Sequence, residues 1–146
     1  MIKMQEASDS DEKIKKVLEK LKEKELRMTP QRILISKIIL DTVKKHASLK
    51  EIYDETQKVL PRAGMSTVYN TIKMLESLGV IDTLDIEGKM RIDQTFPHIN
   101  IHCKNSDNII DVDGNVINEI KEVLYKHGIV VDIKKILIDG KCVDNP

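Results

Sequence analysis

The chain has no tryptophan, a single phenylalanine (Phe96) and three tyrosines among its 146 residues. Its core therefore has to be aliphatic, and so few rings argue against a base-stacking platform for single-stranded nucleic acid. Two cysteines cannot build a disulfide-rich scaffold and point to a reducing, cytoplasmic compartment. No apolar run approaches the roughly 18 residues of a membrane span. The opening MIKMQEASDSDEK lacks an apolar signal core, so a secreted precursor is not expected. There is no glycine-rich phosphate loop, no H-E-x-x-H and no nucleophile elbow, which leaves no recognisable enzyme class.

What is present is unevenly distributed. The net charge is zero, yet residues 13–78 carry 15 Lys/Arg against 8 Asp/Glu, while residues 79–146 carry 8 against 12. A basic front and an acidic rear suit a polyanion-facing module joined to something else.

Helical signals come first. Ser10 is a candidate cap for a helix over about 11–26, with Ile14, Val17, Leu18 and Leu21 at helical spacing. Thr29-Pro30 opens a second helix to about residue 45, carrying Ile33, Leu34, Ile38 and Leu40. Ser48-Leu49-Lys50-Glu51 is a capping box for a third, ending near Val59. Ser66 is expected to cap a fourth over 67–78, closed by Gly79. Residues 80–86 and 89–93 then alternate around Glu87-Gly88, the pattern of a β-hairpin. Helices followed by a hairpin are the order of a winged helix-turn-helix. Past Thr95-Phe96-Pro97, strands near 98–102 and 108–112, a helix over 115–127 and a strand over 129–138 form a small β-β-α-β unit. The reading is an α+β chain: a winged-helix domain over 1–92, a hinge at 93–97 and an α/β domain over 98–146. The second domain is too small to be comfortable alone, so it is expected to pair with its copy in a homodimer.

The fourth helix is second in its pair, hence the candidate recognition helix for a major groove. Ser66, Thr67, Tyr69, Asn70 and Lys73 fall on one side; Val68, Ile72, Leu75 and Leu78 fall on the other. Asn can pair two-pronged with an adenine edge, and the others can bond phosphate.

Met28-Thr29-Pro30-Gln31-Arg32, followed by Ser66-Thr67-Val68-Tyr69-Asn70-Thr71-Ile72 and Gly79-Val80-Ile81, resembles the ferric uptake regulator (Fur) family over nearly the whole chain. The resemblance implies a homodimeric, metal-responsive transcription regulator, usually a repressor, bound to a palindromic duplex. Asn70, Asp93 and Asp111 resemble the peroxide-responsive PerR type in particular. The alternatives are a metal-independent winged-helix regulator and a winged-helix adaptor that binds protein.

The chain also departs from the family pattern. Two Cys-x-x-Cys pairs hold a structural zinc there, but here the matching runs are Cys103-Lys104-Asn105-Ser106 and Cys142-Val143-Asp144-Asn145. Each has lost its second thiol, so structural zinc is expected to be absent. Cys103 and Cys142 are either small buried hydrophobes or a reversible disulfide. The family's regulatory metal takes a His just after T-P-Q-R, where Ile33 stands here. Asp93, His98 and Asp111 match its other ligands, with Asn100 or His102 assisting, as a mixed nitrogen and oxygen site for Fe, Mn or Zn. With Fe(II), the resemblance implies that oxidation of a ligand such as His98 would release DNA. His46 reads as a surface residue, and His127 as a cation at a helix C-terminus.

Overall fold

The computed structural model describes residues 2–24 and 27–143, with side chains described from residue 12 onward, outside 25 and 26. It divides into two compact units, Met1–Thr95 and Phe96–Pro146.

The first unit begins with α1 (Ile2–Glu23). Ser10 lies inside this helix rather than at its start, and the expected end at 25–26 lies outside the described residues. Helix α2 (Pro30–Thr42) starts as its sequence dictates: the Thr29 side chain accepts from the Arg32 amide at 3.2 Å, with Pro30 in the first turn. A 3-10 turn, Val43–Lys45, follows and ends on His46 in the left-handed conformation. The capping box of α3 (Leu49–Val59) is complete, with Ser48 and Glu51 satisfying each other's backbone amides. Helix α4 (Met65–Ser77) starts one residue before the expected cap. Extended Gly64 is its N-cap, and Ser66 falls within the first turn. Gly79, at φ 73°, turns the chain out of α4.

Helix α2 packs against α1, α3 and α4. Ile35, Ile39 and Leu40 meet Val17, Leu21, Ile52, Val68, Ile72 and Leu75 in one aliphatic cluster. Leu34 is exposed, because the buried stripe of α2 runs through Ile35 and Ile39 instead.

The wing is a hairpin of β1 (Asp82–Ile86) and β2 (Lys89–Asp93). Glu87 (φ 54°) and Gly88 (φ 78°) supply the paired positive φ angles of a two-residue turn. The outer side of β2 collects the chain just before α3. Ser48 bridges Arg91, the Ile92 amide donates to the Ala47 carbonyl at 3.0 Å, and Arg91 Nη1 donates to the His46 carbonyl at 3.4 Å.

The second unit is a three-stranded sheet in the order β4-β3-β5 with one helix. Strand β3 (His98–Cys103) pairs antiparallel with β4 (Asn108–Val112) and parallel with β5 (Lys135–Gly140). Helix α5 (Asn115–Lys126) packs on β3 and ends before Gly128 at φ 79°. The closing strand begins later than its apolar run suggests. Residues 129–134 are outside any strand and mostly exposed, because the register with β3 starts at Lys135. Among the described residues strand β5 has only β3 as a neighbour, and Leu137 and Ile138 on it are exposed.

Candidate DNA-reading face and metal-sensing residues

Helix α4 presents two faces of opposite character. Val68, Ile72 and Leu75 are wholly buried, and Leu78 nearly so. Ser66, Tyr69, Asn70 and Lys73 are exposed, with Thr67 half-buried. Inward positions are thus filled by aliphatics at helical spacing, which leaves the polar set outward. Lys73 is not a solitary cation: its Nζ lies 2.7 Å from Glu76 Oε1, and that carboxylate holds its pKa above the ordinary lysine value. The other oxygen of Glu76 accepts from the Thr83 hydroxyl, which joins α4 to the wing.

At the far end of the wing the structure brings together two residues that sequence reasoning kept apart. His46 is buried, not a surface residue, and its Nδ1 stands 3.2 Å from Oδ1 of Asp93, which has no solvent exposure. The link that the family pattern puts after T-P-Q-R is absent at Ile33, whose side chain packs against the aliphatic core. An imidazole from a later residue stands beside Asp93 instead. The signal for it lay in the short spacing from His46 to the capping box at Ser48, which fixes the turn that β2 grips.

In the second unit, His98, Asn100 and His102 alternate along β3 on one face, and all three are buried. Asn100 lies directly opposite Asp111 on β4, so that carboxylate stands on the same face as His98 and Asn100. His98 Nδ1 donates to the Phe96 carbonyl at 2.5 Å. Because a carbonyl only accepts, this contact places a proton on Nδ1.

His102 does not fit the same role. Its Nδ1 is 2.8 Å from Asp139 Oδ1 and its Nε2 is 2.7 Å from Asp107 Oδ1. Two carboxylates on two ring nitrogens call for two N–H groups, hence an imidazolium. Accordingly Asp107 first, then Asp139, raises the His102 pKa, and His102 in turn lowers that of Asp139. Both ring nitrogens of His102 are thus engaged by carboxylates.

Cys103 and Cys142 are joined by a disulfide with Cα atoms 5.2 Å apart. Of the two weighed readings it is the bridge, not the pair of free hydrophobes. A sulfur bonded to sulfur is no thiolate, so this pair in its closed state does not fit a zinc site. Asn145, at the lost fourth position, lies outside the described residues.

A four-helix core, a hairpin wing and a polar outward helix ahead of it define the class: a winged helix-turn-helix DNA-binding regulator carrying a separate α/β unit. The model of the ferric uptake regulator family matches residues 23–138. The chain belongs to that family of metal-responsive transcription regulators, whose members bind operator DNA and dimerise; it is not an enzyme. It is 32% identical over 120 residues to the ferric uptake regulation protein homolog of Archaeoglobus fulgidus, covering 81% of this chain and 92% of the relative. It is also similar to the peroxide operon regulator of Bacillus subtilis, at 27% identity over 132 residues, covering 88% and 90%. Relatives named for iron and for peroxide both match, so the comparisons mark no PerR preference. The Helicobacter pylori ferric uptake regulator shares the fold at a TM-score of 0.70, with 21% identity, over 88% of this chain and 91% of that one. No helix among the described residues is long and apolar enough to cross a membrane.

Proposed function

We propose that the chain is a homodimeric, cytoplasmic repressor that reads a palindromic duplex through Ser66, Thr67, Tyr69, Asn70 and Lys73, under control of a divalent metal. Asn70 would read a base edge and the other four would hold the backbone. The exposed Leu137 and Ile138 on the open strand β5, with Val130 before it, support a second copy as the partner of the rear unit.

The observation that carries metal control is the buried His46–Asp93 pair at 3.2 Å. Each unit offers its own metal-ligating side chains: His46 and Asp93 in the first, and His98, Asn100 and Asp111 in the second. His102 falls out of the set because both its nitrogens are engaged. Nitrogen and carboxylate donors without thiolate suit Fe(II), Mn(II) or Zn(II). An ion shifts a conformational equilibrium only by binding its states differently. The hinge at 93–97 is where that shift would be absorbed. A structural zinc is not part of this reading.

The test is elemental analysis of protein purified without chelator, paired with operator titrations with and without Fe(II), Mn(II) and Zn(II). Operator affinity that rises with one of these ions is expected. Metal-free protein binding equally in every condition would leave a constitutive regulator. Loss of binding on peroxide treatment of the Fe(II) form alone would assign the PerR type.

A further inference from the structure

We propose that Cys103 and Cys142 form a reversible thiol redox site whose oxidants are small disulfides, separate from the metal-sensing residues. Three observations carry it. The closed bridge joins the end of β3 to the chain just after β5, residues 39 apart in sequence. Its two sulfurs differ in access, since Cys103 is wholly buried and Cys142 is partly exposed. And hydrogen bonds apart from the bridge tie the same two segments together. Asn105 Nδ2 donates to the Cys142 carbonyl at 3.2 Å, the Cys142 amide donates to Asn105 Oδ1 at 3.1 Å, and the Lys104 amide donates to the Gly140 carbonyl at 2.8 Å.

These bonds hold the backbone of Cys142 beside β3 whether or not sulfur is bonded to sulfur. The reduced thiols therefore stay neighbours, and closure is an intramolecular step with a high effective concentration. Access sets its order. The Cys142 thiolate attacks one sulfur of a small disulfide, forming a mixed disulfide and releasing one thiolate. The Cys103 thiolate then attacks the Cys142 sulfur, closing the bridge and releasing the second. In sum, one protein dithiol and one small disulfide become one protein disulfide and two small thiols. The runs Cys-Lys-Asn-Ser and Cys-Val-Asp-Asn thus keep one thiol each, enough for a redox couple and too few for a thiolate cage. A bridge that opens and closes is the kind a reducing compartment retains.

The test uses the full chain with oxidised glutathione as the probe. Proteolysis of oxidised protein should yield the Cys103 and Cys142 peptides as one cross-linked species, and reduction should make both alkylatable. Amide exchange at Lys141 to Val143 should quicken on reduction. Cys103→Ser should stop at glutathione-modified Cys142, whereas Cys142→Ser should react slowly, because its remaining thiol is buried. Asn105→Ala, which keeps both thiols but removes both side-chain hydrogen bonds to Cys142, should slow closure about tenfold or more. The proposal is overturned if the thiols stay free under oxidised glutathione, if the bridge forms between two chains, or if it closes no faster in the folded chain than in denaturant.

Discussion

The imidazole of His46 and the carboxylate of Asp93 meet at 3.2 Å, both shut off from solvent. The turn ahead of α3 is thereby tied to the last residue of the wing. Two consequences separate a ligand pair from a merely structural one. His46→Ala should lower Mn(II) affinity by about tenfold or more and flatten the response of operator binding to metal, read by calorimetry and by DNA titration. Ile33→His should not strengthen metal binding and should destabilise the fold, because half-buried Ile33 packs on the core and a polar ring there loses that apolar contact. Unchanged affinity in His46→Ala would move the regulatory ion elsewhere.

On α4, Asn70 and Lys73 are both exposed but are predicted to fail differently. Asn70→Ala should cost about 1–3 kcal/mol on the preferred operator and relax discrimination at one position per half-site. Lys73→Ala should weaken all sequences alike and reduce the salt slope by less than one full charge, since Glu76 already shares its ammonium. Glu76→Gln should steepen that slope. Equal losses on every sequence for both Asn70→Ala and Lys73→Ala would mean that Asn70 reads no base.

These two sites show where the sequence was legible. The caps at Thr29 and Ser48, the Glu87-Gly88 turn and the apolar stripe of α4 are local events, decided within a few residues by backbone hydrogen bonds and helical period. They read correctly. His46 did not, because its burial comes from β2 gripping residues 46–48 across a long loop of sequence. The start of β5 failed for a similar reason. Ile129, Val130 and Val131 look like a strand by composition, yet pairing with β3 decides which residues are strand. His98 and Asn100 were legible as one face by alternation. That His102, on the same face, is taken up by Asp107 and Asp139 required knowing which strand lies alongside.

Gly114 offers a test of packing in the second unit. A Cβ on it would lie 2.6 Å from the Pro97 carbonyl oxygen. Its φ of −59° is open to any residue, so the penalty is steric and not conformational. Gly114→Ala should destabilise the chain by about 1–3 kcal/mol, measured by urea unfolding. Wild-type stability would mean that Pro97 yields without cost.

The last prediction turns on His102. If it serves structure and not the metal, His102→Gln should leave Mn(II) affinity unchanged while lowering stability in a pH-dependent way. Asp107 and Asp139 raise the His102 pKa in the folded chain. The charged ring therefore adds stability that is fully present below its unfolded value of about 6.5 and fades as pH climbs through the raised folded value. On the acid side, the lowered pKa of Asp139 gives a contribution present above about pH 3.9 and lost as pH falls through its lowered folded value. The stability gap between wild type and His102→Gln should then be widest between about pH 4 and 6.5 and narrow in alkaline buffer. Urea unfolding of the metal-free proteins across that range measures it. A gap that stays flat with pH would remove the imidazolium from the account, and a loss of metal affinity in the same variant would return His102 to the ligand set.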